Sequence, residues 1–171
     1  MTGMSSENLK NDISNPAKTY LWDVAFANLI GGGNRDHLEV RAQSTAIPGR
    51  SFGEILVPFM GTPGIKFPGK LTMTHSWPAV FIEGNDREVW KALYAWSQAI
   101  QNVRTGLGGP DSLIKADVYL RLKDQQGNVT NKLRLAGCYP QAVDEVPLAF
   151  EDESSIFYNA TFSYDYWEED N

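Results

Sequence analysis

Residues 64–70 have the spacing G-x-x-x-x-G-K, which in a phosphate-binding loop surrounds the phosphates of a nucleotide. In such a loop a Ser or Thr follows the lysine and binds Mg²⁺, whereas Leu71 occupies that position here. The loop should also open a helix whose amides face the phosphates, but a strand-like alternation follows, and Pro68 has no amide proton. The segment therefore does not predict a nucleotide site.

The residue types that ligate metals or act as nucleophiles are few and widely separated. The chain has two histidines, His37 and His75, and one cysteine, Cys138, whereas a zinc site needs three or four ligands at close spacing. Nothing near Cys138 supports a Cys–His nucleophilic pair, and we interpret it as a small core residue. The acidic residues 151–153 lack the alternation and the Gly turn of a calcium loop, which indicates a solvated turn. We therefore predict no catalytic residue, no metal, no cofactor and no enzymatic activity.

The composition narrows the class of protein further. The chain has 171 residues, of which 42% are hydrophobic, enough for the core of a single domain. The net charge is −6 and the pI is near 4.9, which argues against a protein that binds nucleic acid tightly through Lys and Arg. No apolar run has the length of a signal-peptide core or a membrane span, so we expect neither.

The charge is unevenly distributed along the chain. Arg134 is the last basic residue, and nine acidic residues after it give residues 135–171 a net charge of −9. Residues 1–134, with 15 basic and 12 acidic residues, carry +3. Acidic residues commonly keep a surface soluble. The complete absence of Lys and Arg over the C-terminal stretch nevertheless suggests that one face or edge of the molecule is negative.

The alternation of apolar and polar residues predicts a mainly β chain. Residues 1–18 are polar and are interpreted as a flexible N-terminal arm, followed by one domain over residues 19–171. The segments with the two-residue period of half-buried strands are residues 20–26, 38–43, 55–59, 71–77, 115–123, 129–135, 143–150 and 156–166. Many short strands separated by Gly and Pro turns indicate a sandwich or barrel.

One segment has a helical period, and it predicts a helix at about residues 86–101. Its apolar residues are spaced by four, three and four positions, at Val89, Leu93, Trp96 and Ile100. Asn85 and Glu88 have the spacing of a capping box. Trp90 and Tyr94 form a second aromatic stripe, which either packs within the monomer or faces a neighbouring subunit.

Residues 48–69 are rich in Pro and Gly, yet Ile55, Val57 and Phe59 still alternate within them. This pattern is typical of a strand and a long projecting loop rather than of a linker between domains. Long loops in compact domains tend to be functional, because ordering them requires a contact elsewhere.

The order of these segments resembles that of a known family. Three motifs carry the resemblance: Ala-x-x-x-Ala-Ile-Pro-Gly at residues 42–49, Val-Pro-Phe-Met at residues 57–60 and Asp-Tyr-Trp-Glu at residues 165–168. Between the second and the third lie a strand with Trp77 and a helix with Trp90 and Trp96. Over residues 19–168, the chain resembles the tail tube protein of contractile-tailed bacteriophages, within the phage tail tube and Hcp-like tube superfamily.

The resemblance implies a mainly β fold, a two-sheet β-sandwich or barrel with one flanking α-helix. It also implies hexameric rings with a continuous β-barrel lumen, which stack into the inner tail tube of a virion and conduct DNA during ejection. The implied partners are other copies of the chain, the tail sheath, the baseplate or tube initiator and the tail terminator. DNA would pass through the lumen without tight binding, no membrane would be involved, and assembly would take place in the host cytoplasm.

By analogy with the family, we predict assembly contacts at the projecting segment and at the C-terminus. The residues predicted to pair strands between subunits are Ile55, Val57, Phe59 and Met60. Residues 61–69, with Gly64, Lys66, Phe67 and Gly69, are predicted to stack the rings. The predicted terminal contacts are Trp167, Glu168, Glu169 and Asp170. Two alternatives remain open at this stage. One is the tube protein of a phage-derived contractile injection device, either a bacteriocin or a type VI-like secretion system. The other is a monomeric β-sandwich binding module.

Overall fold

The computed structural model describes residues 5–170. The first four residues of the predicted N-terminal arm and the final residue of the chain lie outside the described residues. The elements in chain order are α1 (Ser6–Asp12), β1 (Trp22–Phe26), α2 (Arg35–Arg41), β2 (Ala42–Thr45), β3 (Ser51–Val57), β4 (Ile65–Thr72), β5 (Ser76–Ile82), α3 (Glu88–Ile100), α4 (Asp111–Ile114), β6 (Ala116–Lys123), β7 (Val129–Val143), β8 (Phe157–Ser163) and β9 (Tyr166–Glu169). The predicted mainly β class and the predicted main helix, α3, are confirmed.

The strands form a seven-stranded sheet and a separate two-stranded sheet, β3–β4. In the larger sheet the strand order is β1-β6-β7-β8-β5-β2, and β9 pairs with β7. β7 connects the two halves of this sheet, because residues 129–138 pair with β6 and residues 139–143 pair with β8. All of these pairs are antiparallel.

The larger sheet folds back on itself around a common core. The ring of Phe26 on β1 lies 6.1 Å from the ring of Phe162 on β8, although β6 and β7 separate these strands in the sheet order. In a flat sheet, strands three places apart would be about 14 Å apart. α3 packs against the same core, and its ring of Trp96 lies 5.9 Å from that of Phe162. The predicted sandwich or barrel is thus a single seven-stranded sheet that folds around the core, with α3 as a flanking helix and the β3–β4 hairpin as a separate small sheet.

The prediction of a strand over residues 38–43 is wrong in its first half, where the chain forms α2. Asn34 caps this helix, and its side chain accepts a hydrogen bond from the Asp36 amide at 3.0 Å. Leu38 is fully buried, whereas Val40 is 81% exposed. In a half-buried strand, Leu38 and Val40 would both face the core. Only Leu38 does, so the alternation of apolar and polar residues here does not reflect a strand.

Other predicted strands also differ from the observed ones: β3 begins at Ser51 and ends at Val57, and β7 extends beyond residue 135. β7 ends at Val143, so the predicted strand over residues 143–150 is wrong, and residues 144–156 form a loop. The alternation over residues 71–77 is interrupted between β4 and β5, where His75 has a φ of 53°. A residue in this left-handed region cannot continue a strand. The last predicted strand is likewise divided between β8 and β9.

The predicted capping box of α3 is also wrong. The residue before the helix is Arg87, with a φ of 59° and no side-chain capping bond. The carboxylate of Glu83, directly after β5, instead accepts hydrogen bonds from the amides of Val89 and Trp90, at 3.3 and 2.8 Å. The negative charge of Glu83 also suits the positive end of the helix dipole.

The prediction of a single flanking helix is incomplete, because α1, α2 and α4 accompany α3. α1 lies within the predicted N-terminal arm, and its side chains are exposed. Within residues 5–170, no helix combines the length and the apolar character that crossing a membrane requires.

Candidate assembly surface

The residues that resemble a phosphate-binding loop belong to a hairpin. The lysine of the motif, Lys70, lies inside β4, which continues to Thr72, rather than before a helix. Lys66 of the same strand forms an ion pair with Glu54 on β3, with an N···O distance of 2.7 Å. The geometry of a nucleotide loop is therefore absent from these residues.

The other candidates for chemistry have structural contacts. Across residues 5–170, no group of three or more His, Cys, Asp or Glu side chains is arranged to hold a metal ion. Cys138 is buried, and this burial raises the pKa of its thiol to about 12, so the reactive thiolate does not form near neutral pH. The Nδ1 atom of His75 lies 3.0 Å from the carbonyl oxygen of Tyr164. His37 lies on α2.

The β3–β4 hairpin (residues 51–72) contains most of the predicted assembly residues. β3 is exposed along its whole length, and the described core of the chain includes none of the side chains of the hairpin. The hairpin and its turn expose many large apolar side chains. They are Phe52, Ile55, Leu56, Val57, Phe59, Met60, Ile65, Phe67 and Leu71. A contiguous apolar surface of this kind is typical of a site that another protein covers.

The register of the hairpin produces one face that is entirely apolar. Ile55 pairs with Phe67 and Val57 pairs with Ile65, and paired residues point to the same side of a sheet. We call these four residues the apolar hairpin face. Each of them is about half exposed, between 46% and 57%. The subunit alone therefore leaves an apolar surface open along both strands.

The opposite side of the hairpin is mixed in character. Leu56 pairs with Lys66, and Lys66 reaches diagonally to Glu54 on the same side. Both members of this ion pair are about two-thirds exposed, so it contributes little to stability. The hairpin therefore has one side suited to burial against a protein and one side suited to water.

A close approach of two glycines shapes the base of the hairpin. The strand register shifts between Phe52 and Glu54, where Gly53 of β3 lies opposite both Gly69 and Lys70 of β4. A Cβ atom added to Gly69 would lie 2.7 Å from the carbonyl carbon of Gly53. Any side chain at Gly69 must therefore move the two strands apart.

A Gly69→Ala variant is expected to distort the hairpin and leave the core intact. We expect its melting temperature to stay within about 2 °C of the wild type, because the hairpin lies outside the core. Self-association, measured by sedimentation, should weaken. Gly53→Ala is the matched control, since it adds the same methyl group at the same place in the hairpin and the nearest atom to its added Cβ lies 3.7 Å away, an ordinary contact. If Gly69→Ala sediments like the wild type, the close approach of the two glycines has no role in assembly.

The C-terminal assembly candidates bind other parts of their own chain. Three of these contacts are Trp167–Gly49, Glu168–Arg134 and Asp170–Lys132. Glu169 is exposed and takes part in the β7–β9 ladder opposite Leu133. Contacts of these residues with neighbouring subunits stay a prediction.

Ion pairs with basic residues neutralise part of the negative charge of the C-terminal stretch. Three of its nine acidic residues are paired with basic residues, as Asp165–Lys115, Glu168–Arg134 and Asp170–Lys132. Five others lie in the loop of residues 144–156, which has no Lys or Arg. The excess of negative charge is therefore concentrated in one loop between β7 and β8.

The second aromatic stripe of α3 is open to solvent. Trp90 and Tyr94 are 44% and 51% exposed. The ring of Trp90 stacks against those of Tyr94 and Tyr158, at centroid distances of 5.8 and 5.7 Å. A groove of about 740 Å³ lies beside Trp90, between α3 and the loop of residues 144–156. Residues 5–170 of the monomer therefore leave this stripe uncovered.

No family model matches the chain. Among curated proteins, the chain is 31% identical over 109 residues to the tail tube protein of Serratia phage KSP90. The match covers 63% of this chain, and the chain spans 60% of the length of that relative.

Solved structures match over more of the chain. A chain from the sheath–tube complex of an extracellular contractile injection system (PVC) in its extended state matches with a TM-score of 0.67 and 13% identity, over 98% of this chain and 99% of that one. The sheath/tube terminator of such a system matches with a TM-score of 0.69 and 14% identity, over 92% and 98%. The resemblance predicted from the sequence is therefore confirmed: the chain is similar in sequence to a phage tail tube protein and shares its fold with proteins of contractile injection systems.

Proposed function

We propose that the chain is a structural protein that polymerises as stacked hexameric rings into the inner tail tube of a virion. The observation that carries this proposal is the apolar hairpin face, which the subunit leaves open in a chain with the fold of contractile injection system proteins. In a stack of closed rings, neighbouring copies in the same ring cover the free edges of strands, and copies in the adjacent ring can cover such a face. The role is structural rather than enzymatic.

The proposed contact between rings is made by the β3–β4 hairpin. Burying a side chain of this size completely contributes about 1.5–3 kcal/mol. Because the four residues of the apolar hairpin face are half exposed, covering them would contribute roughly 1 kcal/mol each. Six subunits would repeat this contact in every ring, so a modest gain for each subunit becomes a stable junction between rings.

The charge of the chain suits a conduit for DNA. Six copies of a chain with a net charge of −6 give a ring with a charge of −36. Such a charge opposes adhesion of phosphates, although salt screens it beyond about 8–10 Å. We therefore propose that DNA passes through the lumen during ejection without tight binding.

The proposed partners are other copies of the chain, the tail sheath, the baseplate or tube initiator, and the tail terminator. Similar solved chains come from a sheath–tube complex and from a sheath/tube terminator. We place assembly in the host cytoplasm and the finished protein in the virion tail. A second candidate is the tube of a phage-derived injection device, which the match to extracellular contractile injection systems favours.

Electron microscopy of the purified chain tests the proposal. Negative-stain images at high concentration, with and without a baseplate nucleus, should show rings or tubes. Monomers alone under both conditions, also seen by size-exclusion chromatography, would contradict the proposal and favour the monomeric binding module. DNA inside tubes isolated from producing cells would separate the virion tail from an injection device with protein cargo.

A further inference from the structure

The β3–β4 hairpin is joined to the rest of the subunit by two short connections, residues 46–50 and residues 73–75. Both connections contact the same part of the chain, residues 164–167, between the end of β8 and the middle of β9. We call residues 164–170 the C-terminal anchor. The connections also contact other parts of the body: the Nε1 atom of Trp77 on β5 donates a hydrogen bond to the carbonyl oxygen of Ala46 at 3.0 Å, and Met73 packs against the core. The described core includes no side chain of the hairpin itself, so its direction depends on how these two connections are held.

Trp167 holds the first connection. Its Nε1 atom donates a hydrogen bond to the carbonyl oxygen of Gly49 at 3.3 Å, and the guanidinium carbon of Arg50 lies 4.1 Å from the centroid of its ring. Pro48 is buried and has a fixed φ, which limits the freedom of the backbone just before this contact. Arg50 directly precedes β3, so Trp167 binds the chain at the point where the hairpin begins.

Tyr164 holds the second connection. The Tyr164 amide donates a hydrogen bond to the carbonyl oxygen of His75 at 3.4 Å, and the Nδ1 atom of His75 lies 3.0 Å from the carbonyl oxygen of Tyr164. The hydroxyl groups of Thr74 and Tyr164 are 3.4 Å apart. Tyr164 is only 2% exposed, so this connection is tied to a buried residue.

The anchor is itself attached firmly to the larger sheet. Residues 166–169 form the β9 ladder with residues 133–136 of β7. The amide of Asp165 donates a hydrogen bond to the carbonyl oxygen of Ala136 at 2.9 Å. Ion pairs reinforce the ladder at Glu168 and Asp170. A rigid element therefore carries both contact points of the hairpin.

We propose that the C-terminal anchor sets the direction of the β3–β4 hairpin, with Trp167 as the positioning residue. The inference rests on the proposed function, because its consequence is that the hairpin is already oriented for contact with a second copy. A hairpin without this support would sample many directions, and it would lose that freedom each time a contact formed. The anchor therefore lowers the concentration at which the chain polymerises.

Substitutions at the contact of Trp167 with Gly49 and Arg50 are expected to raise the polymerisation threshold to different degrees. Trp167→Leu keeps an apolar side chain but removes both the hydrogen-bond donor and the aromatic face, and it should raise the polymerisation threshold by about tenfold. Trp167→Phe restores the ring beneath Arg50 and should fall between this variant and the wild type. Arg50→Gln leaves Trp167 in place and should also be intermediate, so it tests the contact even if Trp167→Leu does not fold.

The direction of the hairpin can be measured separately from polymerisation. Spin labels are attached at Met60→Cys in the hairpin turn and at Lys91→Cys on α3. Double electron–electron resonance on the dilute monomer then measures the distance between the two labels. The native Cys138 is buried and is therefore protected from labelling. The distance distribution should be narrow in the wild type and in the control Trp90→Leu, and broader in Trp167→Leu and Arg50→Gln.

The possible outcomes separate this inference from the proposed function. Equally narrow distributions in the wild type and in both contact variants would overturn the positioning role. Broader distributions with an unchanged polymerisation threshold would overturn the consequence for assembly. Broader distributions in a chain that forms no tubes even as wild type would support the positioning role and refute the proposed function.

Discussion

Val57→Asp yields a folded monomer that forms no tubes. Val57 lies on the apolar hairpin face opposite Ile65 and outside the core, so the charge does not disturb the fold of the subunit. At an interface between copies, the same carboxylate would be buried without a partner, which costs several kcal/mol. We expect the polymerisation threshold, measured by sedimentation and electron microscopy, to rise by at least about 100-fold, with an unchanged melting temperature.

Leu56→Asp is the matched control for this variant. It places the same charge one residue away, on the mixed side of the hairpin and opposite Lys66. If the apolar hairpin face forms the contact, Leu56→Asp should polymerise far better than Val57→Asp. Equal loss of tubes in both variants would show that the hairpin is sensitive to charge on either side, and normal tubes with Val57→Asp would remove this face from the interface.

Phe162→Ala destabilises the subunit itself. Phe162 is fully buried on β8, and its ring lies between 5.6 and 6.4 Å from the rings of Phe26, Trp77, Phe81 and Trp96. Removing a buried aromatic ring costs about 3–5 kcal/mol, a large part of the stability of an ordinary domain. We expect the melting temperature, followed by circular dichroism, to fall by roughly 10 °C or more.

Phe157→Ala on the same strand provides the comparison. Phe157 is 41% exposed, so its removal leaves no closed cavity and should lower the melting temperature much less. A small effect of Phe162→Ala would mean that the two halves of the sheet do not share one core. This variant and Val57→Asp therefore separate the stability of the subunit from its capacity to assemble.

Local sequence patterns predict the strands and helices that turn one continuous apolar face toward the core. The alternation over residues 115–123 predicted β6, and Ala116, Val118 and Leu120 are buried together as expected. The four-three-four spacing predicted α3, whose buried residues include Val89, Leu93 and Trp96. In both cases one continuous face meets the core, so periodicity and burial coincide.

Other features depend on contacts between distant residues or on single backbone angles. The hydrogen bond between Trp167 and Gly49 joins residues 118 positions apart, and no local pattern encodes it. Glu83 caps α3 and Arg87 adopts a positive φ, and the capping-box spacing reveals neither feature. The Pro- and Gly-rich composition of residues 48–69 predicts a loop over most of β4, whose backbone nevertheless pairs with β3.

The candidate surface was predictable in position but not in organisation. The Pro- and Gly-rich composition of residues 48–69 indicated a projecting segment with a functional role. The division into an apolar face and a mixed face follows from the register, with Val57 opposite Ile65 and Leu56 opposite Lys66. That register is fixed by the turn of residues 58–64, whose geometry composition does not show.

A cryo-electron microscopy reconstruction of the polymer that the purified chain forms tests the central claim most directly. The proposed function predicts stacked rings with sixfold symmetry, a continuous β-barrel lumen, and the apolar hairpin face buried against a copy in the adjacent ring. A polymer with another symmetry, or rings in which Ile55, Val57, Ile65 and Phe67 remain exposed to solvent, would contradict it.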